Sequence, residues 1–443
     1  MNIQELKTII AGAGDVGAGG AGFPTAVKLA EGADTLIINA AECEPLLYTD
    51  YYLLKRHMDH IMMAAETMME AAGIPQGYLG VKQHTAARLG LEHGEQLSKH
   101  VKVYALPDVY PMGDEIILIY EVLRRVVKPG SLPITAGVLV FNVETLFNVW
   151  HAVYEKLPVT RKWVTIAGVV DKPVVMRMPV GIPVKTLLGH LGVEIPEGCA
   201  VINGGPAMGA LIDTQTAVVT KTTKGLLILP EDIPAIVSKK GTARAHVSRA
   251  TSACCQCTLC TEMCPRALIG YPLHPHRTVR SVSAELTDHP EDYLSAALCC
   301  GCGVCELTAC CQGISPRRVF GEIKASMAKN GLRYQGGELE PVNPEREYRM
   351  LPVERFKQRI GVAPYDRMPE YRETDGWKPP EIRMPLRQHV GVPAIPVVKA
   401  GDAVKTSDMV AKPGDGISAG LHASVDGIVR EVNDREIVIT YQP

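Results

Sequence analysis

Residues 254–265, CCQCTLCTEMCP, place five cysteines within eleven residues and close on a proline. Cys254, Cys257, Cys260 and Cys264 give C-x2-C-x2-C-x3-C before Pro265, a thiolate spacing that binds iron–sulfur clusters. Cys299, Cys302 and Cys305 repeat the first three positions, and Cys310 follows five residues on. Three thiolates at two-residue gaps reach three irons of one cube, so the fourth iron takes its ligand from elsewhere. Where two clusters are bound, the fourth cysteine of each run crosses to the other cluster. The expectation is therefore two [4Fe–4S] clusters, one on Cys254, Cys257, Cys260 and Cys310, the other on Cys264, Cys299, Cys302 and Cys305. Zinc sites rarely use three thiolates in such tight succession. Disulfide staples would be spread along the chain, whereas eleven of the thirteen cysteines fall between Cys254 and Cys311. Cys255, Cys300 and Cys311 exceed the eight ligands. They either pack as small residues beside the clusters or replace a neighbour as ligand after a slip of register. Cys311 also stands where such a run carries proline. Cys43 and Cys199, far from both runs, are expected to be structural.

Clusters need an electron source and a scaffold. The chain has 443 residues, 46% hydrophobic and 21% charged, with a formal charge of -2. Two to four globular domains fit that length, and the missing basic block argues against a nucleic-acid partner. MNIQELKTII lacks a secretory pattern and no run of eighteen apolar residues occurs, so no membrane span and a cytoplasmic setting are expected.

Near the N-terminus, AGAGDVGAGGAGFPTAVK matches G-x-G-x-x-G twice, the first time after the strand-like KTIIA. An ordinary dinucleotide fingerprint would open a helix inside the motif. Here that helix would contain Gly17, Gly19, Gly20, Gly22 and Pro24, at about 1 kcal/mol per glycine and about 3 for the proline. A glycine loop ending at Pro24, with the helix PTAVKLAEG starting there, is the better reading. It exposes backbone N–H groups to an anion, and Lys28 lies one turn inside. Asn39, Glu42 and Glu44 follow the strand DTLIINA, at the edge where open α/β sheets bind ligands. Residues 50–73 have helical spacing, with methionines as core filler; YLGVK, VKVYAL and GVLVF read as strands, and 85–98, 114–126 and 144–156 as helical. His57 and His60 are expected at the surface. The alternation predicts a doubly wound, Rossmann-like sheet.

GAGGAGFPTAVK, INAAECEP, YPMGDE and FNVETL, in that order, resemble the flavin- and NADH-binding module of the respiratory complex I NADH-oxidising subunit and the Rnf C subunit. The resemblance implies FMN, with Gly17, Gly19, Gly20 and Lys28 at its phosphate and Asn39, Glu42, Gly113, Asp114, Asn142 and Thr145 around the rest. It places Phe23, Glu44, Tyr110 and Glu115 at the NADH site. Ala18 and Ala41 replace an arginine and an aspartate of the complex I module, and Phe141 stands where the family often has asparagine.

Beyond this module the fold class is α/β and multidomain. The stretch TIAGVVDKPVVMRMPVGIPVKTLLGHLG, ending in INGGPAMGALI, is similar to the soluble-ligand-binding β-grasp domain of the same family, either a ligand binder or a spacer. The boundaries read as 1–158 for the flavin module, 159–235 for the β-grasp domain and 245–328 for a ferredoxin-like two-cluster domain. Residues 329–383, rich in proline, arginine and glutamate, read as an extended linker. Residues 384–443 resemble the all-β barrel-sandwich hybrid of lipoyl carriers, but the tip, Ser424 to Gly427, lacks a carrier lysine. HPHR, with His274 and His276, reads as a solvated connection.

This domain order and both cluster motifs resemble, almost end to end, the cobalamin reductases of propanediol-utilisation microcompartments. The implied activity is NADH oxidation at the flavin, with electrons passing singly to the clusters and then to cobalamin or a cobalamin-handling enzyme. The same wiring could serve another acceptor, or a redox conduit that has lost nucleotide binding. A shell protein is a further implied partner, and oligomeric state is not legible. IQELKTII, apolar on one face, is either an encapsulation helix or a cap on the flavin module.

Overall fold

The computed structural model describes residues 1–374 and 377–441. Residues 375–376 of the expected linker and 442–443 of the expected hybrid domain lie outside the described residues.

The N-terminal module is built on a four-stranded parallel sheet. In chain order its strands are β1 (Thr35–Ala40), β2 (Gln76–Lys82), β3 (Val101–Leu106) and β4 (Val138–Asn142), arranged 3-2-1-4. β1 carries the continuous apolar run Leu36–Ile38 because it is covered on both faces. Leu36 and Ile38 join one core with Leu6, Ile61, Met68 and Leu146; Ile37 faces the other with Ile116, Ile119 and Phe320. The helices are α1 (Ile3–Gly12), α2 (Thr49–Ala72), α3 (Gln83–Leu89), α4 (Glu115–Leu123) and α5 (Val143–Trp150).

Local chemistry explains where the elements depart from expectation. KTIIA is helical, not a strand: Asn2 caps Glu5 N–H, Glu5 returns the bond to Asn2 N–H, and Ile3, Leu6 and Ile10 face the core. The apolar face of that segment is thus covered by its own module. The helix expected from Pro24 to Gly32 stops after Thr25–Lys28, because Leu29 turns extended to bury itself completely. The helix expected over 85–98 spans Gln83–Leu89 and ends at Gly90 in the left-handed region. His57 and His60 are half-buried, not free at the surface. His57 packs 4.5 Å from Phe147 and His60 stacks 3.8 Å from Trp150.

The middle domain is a mixed sheet of β5 (Arg161–Gly168), β6 (Val174–Pro179), β7 (Cys199–Asn203), β8 (Ala210–Ile212) and β9 (Gly225–Pro230). Its first and last strands pair in parallel at the centre. Its core continues into the C-terminal domain: Val164, Ile166 and Met176 pack in one cluster with Ile382, Met384, Leu421 and Ile439. Between these domains lie the helices of the cysteine region, among them Ala243–Ala253, Pro275–Ser283 and Pro316–Lys329. HPHR opens the second of these instead of forming a solvated loop, and His276 is hydrogen-bonded to Thr261.

Much of 329–383 is structured. Leu351–Pro352 pairs with Val109–Tyr110, helix Val353–Arg359 buries Phe356, and Glu370–Arg372 adds an edge strand beside β6. Leu351, Val353, Phe356, Ile360 and Val362 are buried. Their apolar spacing is masked in the sequence by the charged residues between them.

Candidate functional site

At the C-terminal edge of the parallel sheet lies a cavity of about 620 Å³, within the ~300–1,000 Å³ of small-molecule sites. Thirteen of the fourteen residues expected at the flavin and nucleotide line it: Gly17, Gly19, Gly20, Phe23, Lys28, Asn39, Glu42, Glu44, Gly113, Asp114, Glu115, Asn142 and Thr145. Tyr110 does not. It is buried behind the wall, stacked 4.2 Å from Phe356, with its hydroxyl oxygen 3.0 Å from Glu44 Oε1 and 2.7 Å from the Cys302 carbonyl oxygen, two acceptors for its single proton.

Many of these side chains spend their polar atoms on one another and so shape the walls. Asn39 donates to Gly113 O (3.0 Å) and accepts from Ala41 N–H (3.2 Å). Asn142 caps α5 by accepting from Glu144 N–H and donates to Asp50 (3.0 Å each). Glu42 caps α2, accepting from Thr49 Oγ1 and Asp50 N–H at 2.9 Å. Burial and nearby Asp50 push its carboxyl above the usual range, while Lys224 opposes that. Lys28 lines the cavity and pairs with Glu115 beside the Phe141 ring, a contact that takes one of its three ammonium donors.

Main-chain donors of the glycine loop are also left open at the cavity. Gly17 N–H donates to Phe23 O, Gly22 N–H to Gly17 O and Ala18 N–H to Thr145 Oγ1. The N–H groups of Gly19, Gly20 and Ala21 meet no acceptor among the described residues, and all three residues line the cavity. Buried Lys162 donates to Ala18 O at 3.1 Å. C=O and N–H of a trans peptide point oppositely, so this contact turns Gly19 N–H away from the lysine. A loop of free N–H groups fits a phosphate, and the volume fits a flavin mononucleotide with room beside it.

Part of the lining was missed. Asn203, Gly204, Gly205, Met208, Gly209, Thr222 and Lys224 come from the middle domain, and Lys224 pairs with Asp50 at 2.6 Å. The INGGPAMG stretch carried the available signal. A Cβ on Gly205 would sit 2.1 Å from Glu44 Oε2, so only glycine admits that carboxylate. Glu44 accepts from Ala207 and Met208 N–H (2.9 and 3.1 Å), and burial pushes its carboxyl up. Cys43, expected to be merely structural, also lines the cavity, its thiol pushed up to about 11 by burial. Cys199 begins β7, half-exposed.

The cysteines gather in two groups. Cys264, Cys299, Cys302 and Cys305, with Cys300, line one small enclosed cavity. Burial pushes Cys264 up to about 12, and Cys302 and Cys305 are also raised, Cys302 by Cys300 beside it as well as by burial. Such thiols become thiolates only against compensating cations, which cluster irons supply. In the other group Cys260, pushed up to about 12 by burial, has Cys310, Cys254 and Cys257 acting on it. Cys254 and Cys310 pack beside Ala250, Val279 and Ile314. The fourth residue of each run thus lies with the other run. Both donor sets are four thiols, as a [4Fe–4S] cube requires. Cys255 and Cys311 are exposed, not packed in, and their sulfurs lie within 4.8 Å of each other and of Cys257.

Cys300 and Cys302 line both cavities. Arg266, just after Cys264, pairs with Asp114 at 2.7 Å and donates to Leu298 O, fastening cysteine loop to flavin-module loop.

Family models match three stretches: the Nuo51 FMN-binding domain over 10–151, a 4Fe–4S dicluster domain over 253–315, and the RnfC barrel sandwich hybrid domain over 371–442. Cobalamin reductase PduS of Citrobacter freundii is 38% identical over 98% of this chain and 96% of its own length. PduS of Salmonella typhimurium is 36% identical over 99% and 97%. The chain belongs to the PduS cobalamin reductase family. It joins an FMN-binding domain to a 4Fe–4S dicluster domain, and it is an oxidoreductase. Within the Na(+)-translocating ferredoxin:NAD(+) oxidoreductase complex of Acetobacterium woodii, the Rnf-type C subunit is 31% identical over 60% of this chain and 58% of its own length. An NAD+-reducing [NiFe]-hydrogenase structure matches with a TM-score of 0.47 at 21% identity, over 75% of this chain and 63% of that one. Among the described residues no helix is long and apolar enough to cross a membrane.

Proposed function

We propose that the chain oxidises NADH and reduces cobalamin, using FMN in the large cavity and two [4Fe–4S] clusters on the cysteine groups. The observation that carries this is the shared wall: Cys300 and Cys302 border the large cavity on one side and the enclosed thiol cavity on the other. Bound FMN supplies exchange between a hydride and single electrons, and the clusters supply one-electron carriage. The chain's residues do the rest. The N–H groups of Gly19, Gly20 and Ala21 hold the phosphate, while Asn39, Gly113 and Asn142 form the walls around the ring system. Phe23, Glu44 and Glu115 border the space for the nicotinamide nucleotide, with Tyr110 fixing Glu44 from behind. Cys254, Cys257, Cys260 and Cys310 hold one cube; Cys264, Cys299, Cys302 and Cys305 hold the other. Glu44 and Glu42 lie where burial disfavours charge, and their hydrogen bonds to Ala207, Met208, Thr49 and Asp50 fix the cavity wall.

Anaerobically prepared protein should contain FMN and about eight irons per chain. NADH should bleach the flavin, and cob(III)alamin should be reduced under turnover. Brisk reduction of artificial acceptors without cobalt reduction would assign the same wiring to another acceptor. Family likeness further supports residence in a propanediol-utilisation microcompartment beside a cobalamin-handling enzyme and a shell protein. Co-fractionation with purified compartments tests that, and light scattering gives the oligomeric state.

A further inference from the structure

The glycine-rich loop has two faces. Gly17, Gly19 and Gly20 border the cavity, while Gly14 and Gly22 press outward against other domains. Lys221, fully buried on the loop before β9, donates through Nζ to Gly14 O at 2.6 Å and to Gly420 O at 2.7 Å. Its own N–H donates to Gln388 Oε1 at 3.0 Å, and Val390 N–H donates to Gly22 O at 3.0 Å. Contact is close enough to exclude side chains. A Cβ on Gly14 would stand 2.4 Å from Gly420 O, and one on Gly22 would stand 2.8 Å from Thr222 and 3.3 Å from the His389 Cα. Residues 388–390 and 420 belong to the C-terminal domain, whose hairpin tip is turned inward: Ser424 is buried and donates to Val180 O at 2.6 Å.

We propose that the C-terminal hybrid domain braces the glycine-rich loop in its anion-binding shape, with Lys221 as the positioning residue that joins loop, middle domain and brace. The proposal rests on the flavin reading of the large cavity. A glycine-rich segment loses more backbone freedom on ordering than any other. Ordering it before the ligand arrives removes that cost from binding. Lys221 is suited to the task because its ammonium donates to one carbonyl on each side, and adjacent Asp15 helps keep it charged against burial. A domain without a carrier lysine thereby has a use at the flavin.

The test uses full-length protein reconstituted with FMN and iron–sulfur clusters, with FMN release followed by the recovery of flavin fluorescence on dilution. Lys221→Met should release FMN at least about tenfold faster, as loss of a charge-assisted bond pair implies. Its iron content should stay at the wild-type value, and saturating FMN should restore NADH-dependent bleaching. Gln388→Ala should accelerate release about threefold, and it decides the matter if Lys221→Met does not fold. Ser424→Ala, which alters the same domain away from the loop, should release FMN at the wild-type rate. Wild-type release in both loop variants overturns the brace while the flavin reading stands. Failure of excess FMN to restore bleaching in Lys221→Met overturns the positioning role. Wild-type protein that retains no FMN removes the flavin reading itself.

Discussion

Cys264, Cys302 and Cys305 are only 7–8% exposed, whereas Cys257, at the centre of the other run, lies open to solvent beside Cys255 and Cys311. The C-x2-C-x2-C core is the same, yet the exposure is opposite. The enclosed group shares a wall with the large cavity and has cations around it. Arg266 is paired to Asp114, Arg317 to Glu306, and Lys324 donates to Cys299 O. The solvent-facing group has Arg249 reaching Gly313 O and Arg359 reaching Thr308 O, both at 3.5 Å, and Arg349 paired to Glu262 at 2.6 Å, so the two groups differ chiefly in exposure. Cluster potential follows hydrogen bonds, net charge and solvent exposure. Two sites built on one three-cysteine core can therefore have unequal potentials and unequal accessibility, the enclosed one facing the large cavity and the open one facing the medium.

The strongest way to break this comparison is Cys302→Ser. It should remove about half the iron and lower acceptor reduction at least ~100-fold, read as iron and acid-labile sulfide per chain alongside turnover. Flavin content should remain. Next, iron removal by a chelator should be biphasic, with the fast half absent in Cys257→Ser; a single phase in wild-type protein would erase the distinction between the groups. A smaller effect compares two arginines. Arg266→Ala leaves the Asp114 carboxylate mostly buried and unpaired, for a loss of about 3 kcal/mol. Arg249→Ala, beside the open group, should change stability by less than about 0.5 kcal/mol. Denaturant unfolding followed by flavin fluorescence measures both.

The smallest expected effect is acid sensitivity away from either cysteine group. His422 is buried near Lys221 with its pKa pulled down from 6.5 to about 4 by burial, and His151 likewise. As the pH falls below 6.5 the unfolded chain takes up these protons first. The contribution is therefore complete above pH 6.5 and lost down through pH 4. FMN retention should weaken from pH 7 to 5.5, and His422→Gln should flatten that dependence.

The cysteine grouping and the glycine loop were legible because each lies within a short stretch whose spacing states its geometry. The crossing of Cys264 and Cys310 followed from the number of irons that one loop can reach. Tyr110 was assigned to the nucleotide wall, but its hydroxyl is held between Glu44 and Cys302 by packing on Phe356. That helix lies in what reads as a linker, since five buried apolar residues between 351 and 362 are diluted by arginine and lysine. Lys28 was expected at an anion; Glu115, its partner, closes the separate YPMGDE motif and reaches it only through the fold. The roles of Lys162, Lys221 and Lys224 had no signal, because a buried lysine looks like a solvated one until its carbonyl or carboxylate partner is in place.

From the residues alone came the donor types, the number of clusters they can hold and the loop able to hold a phosphate, all set by neighbours a few positions apart. Tertiary structure alone decided that Cys300 and Cys302 stand between two cavities, that one cysteine group is enclosed and the other open, and that distant domains press on the glycine loop. Thiol spacing is local and survives in a string of letters. Burial, charge pairing and a shared wall are properties of surfaces meeting, and those surfaces do not exist until the chain has folded.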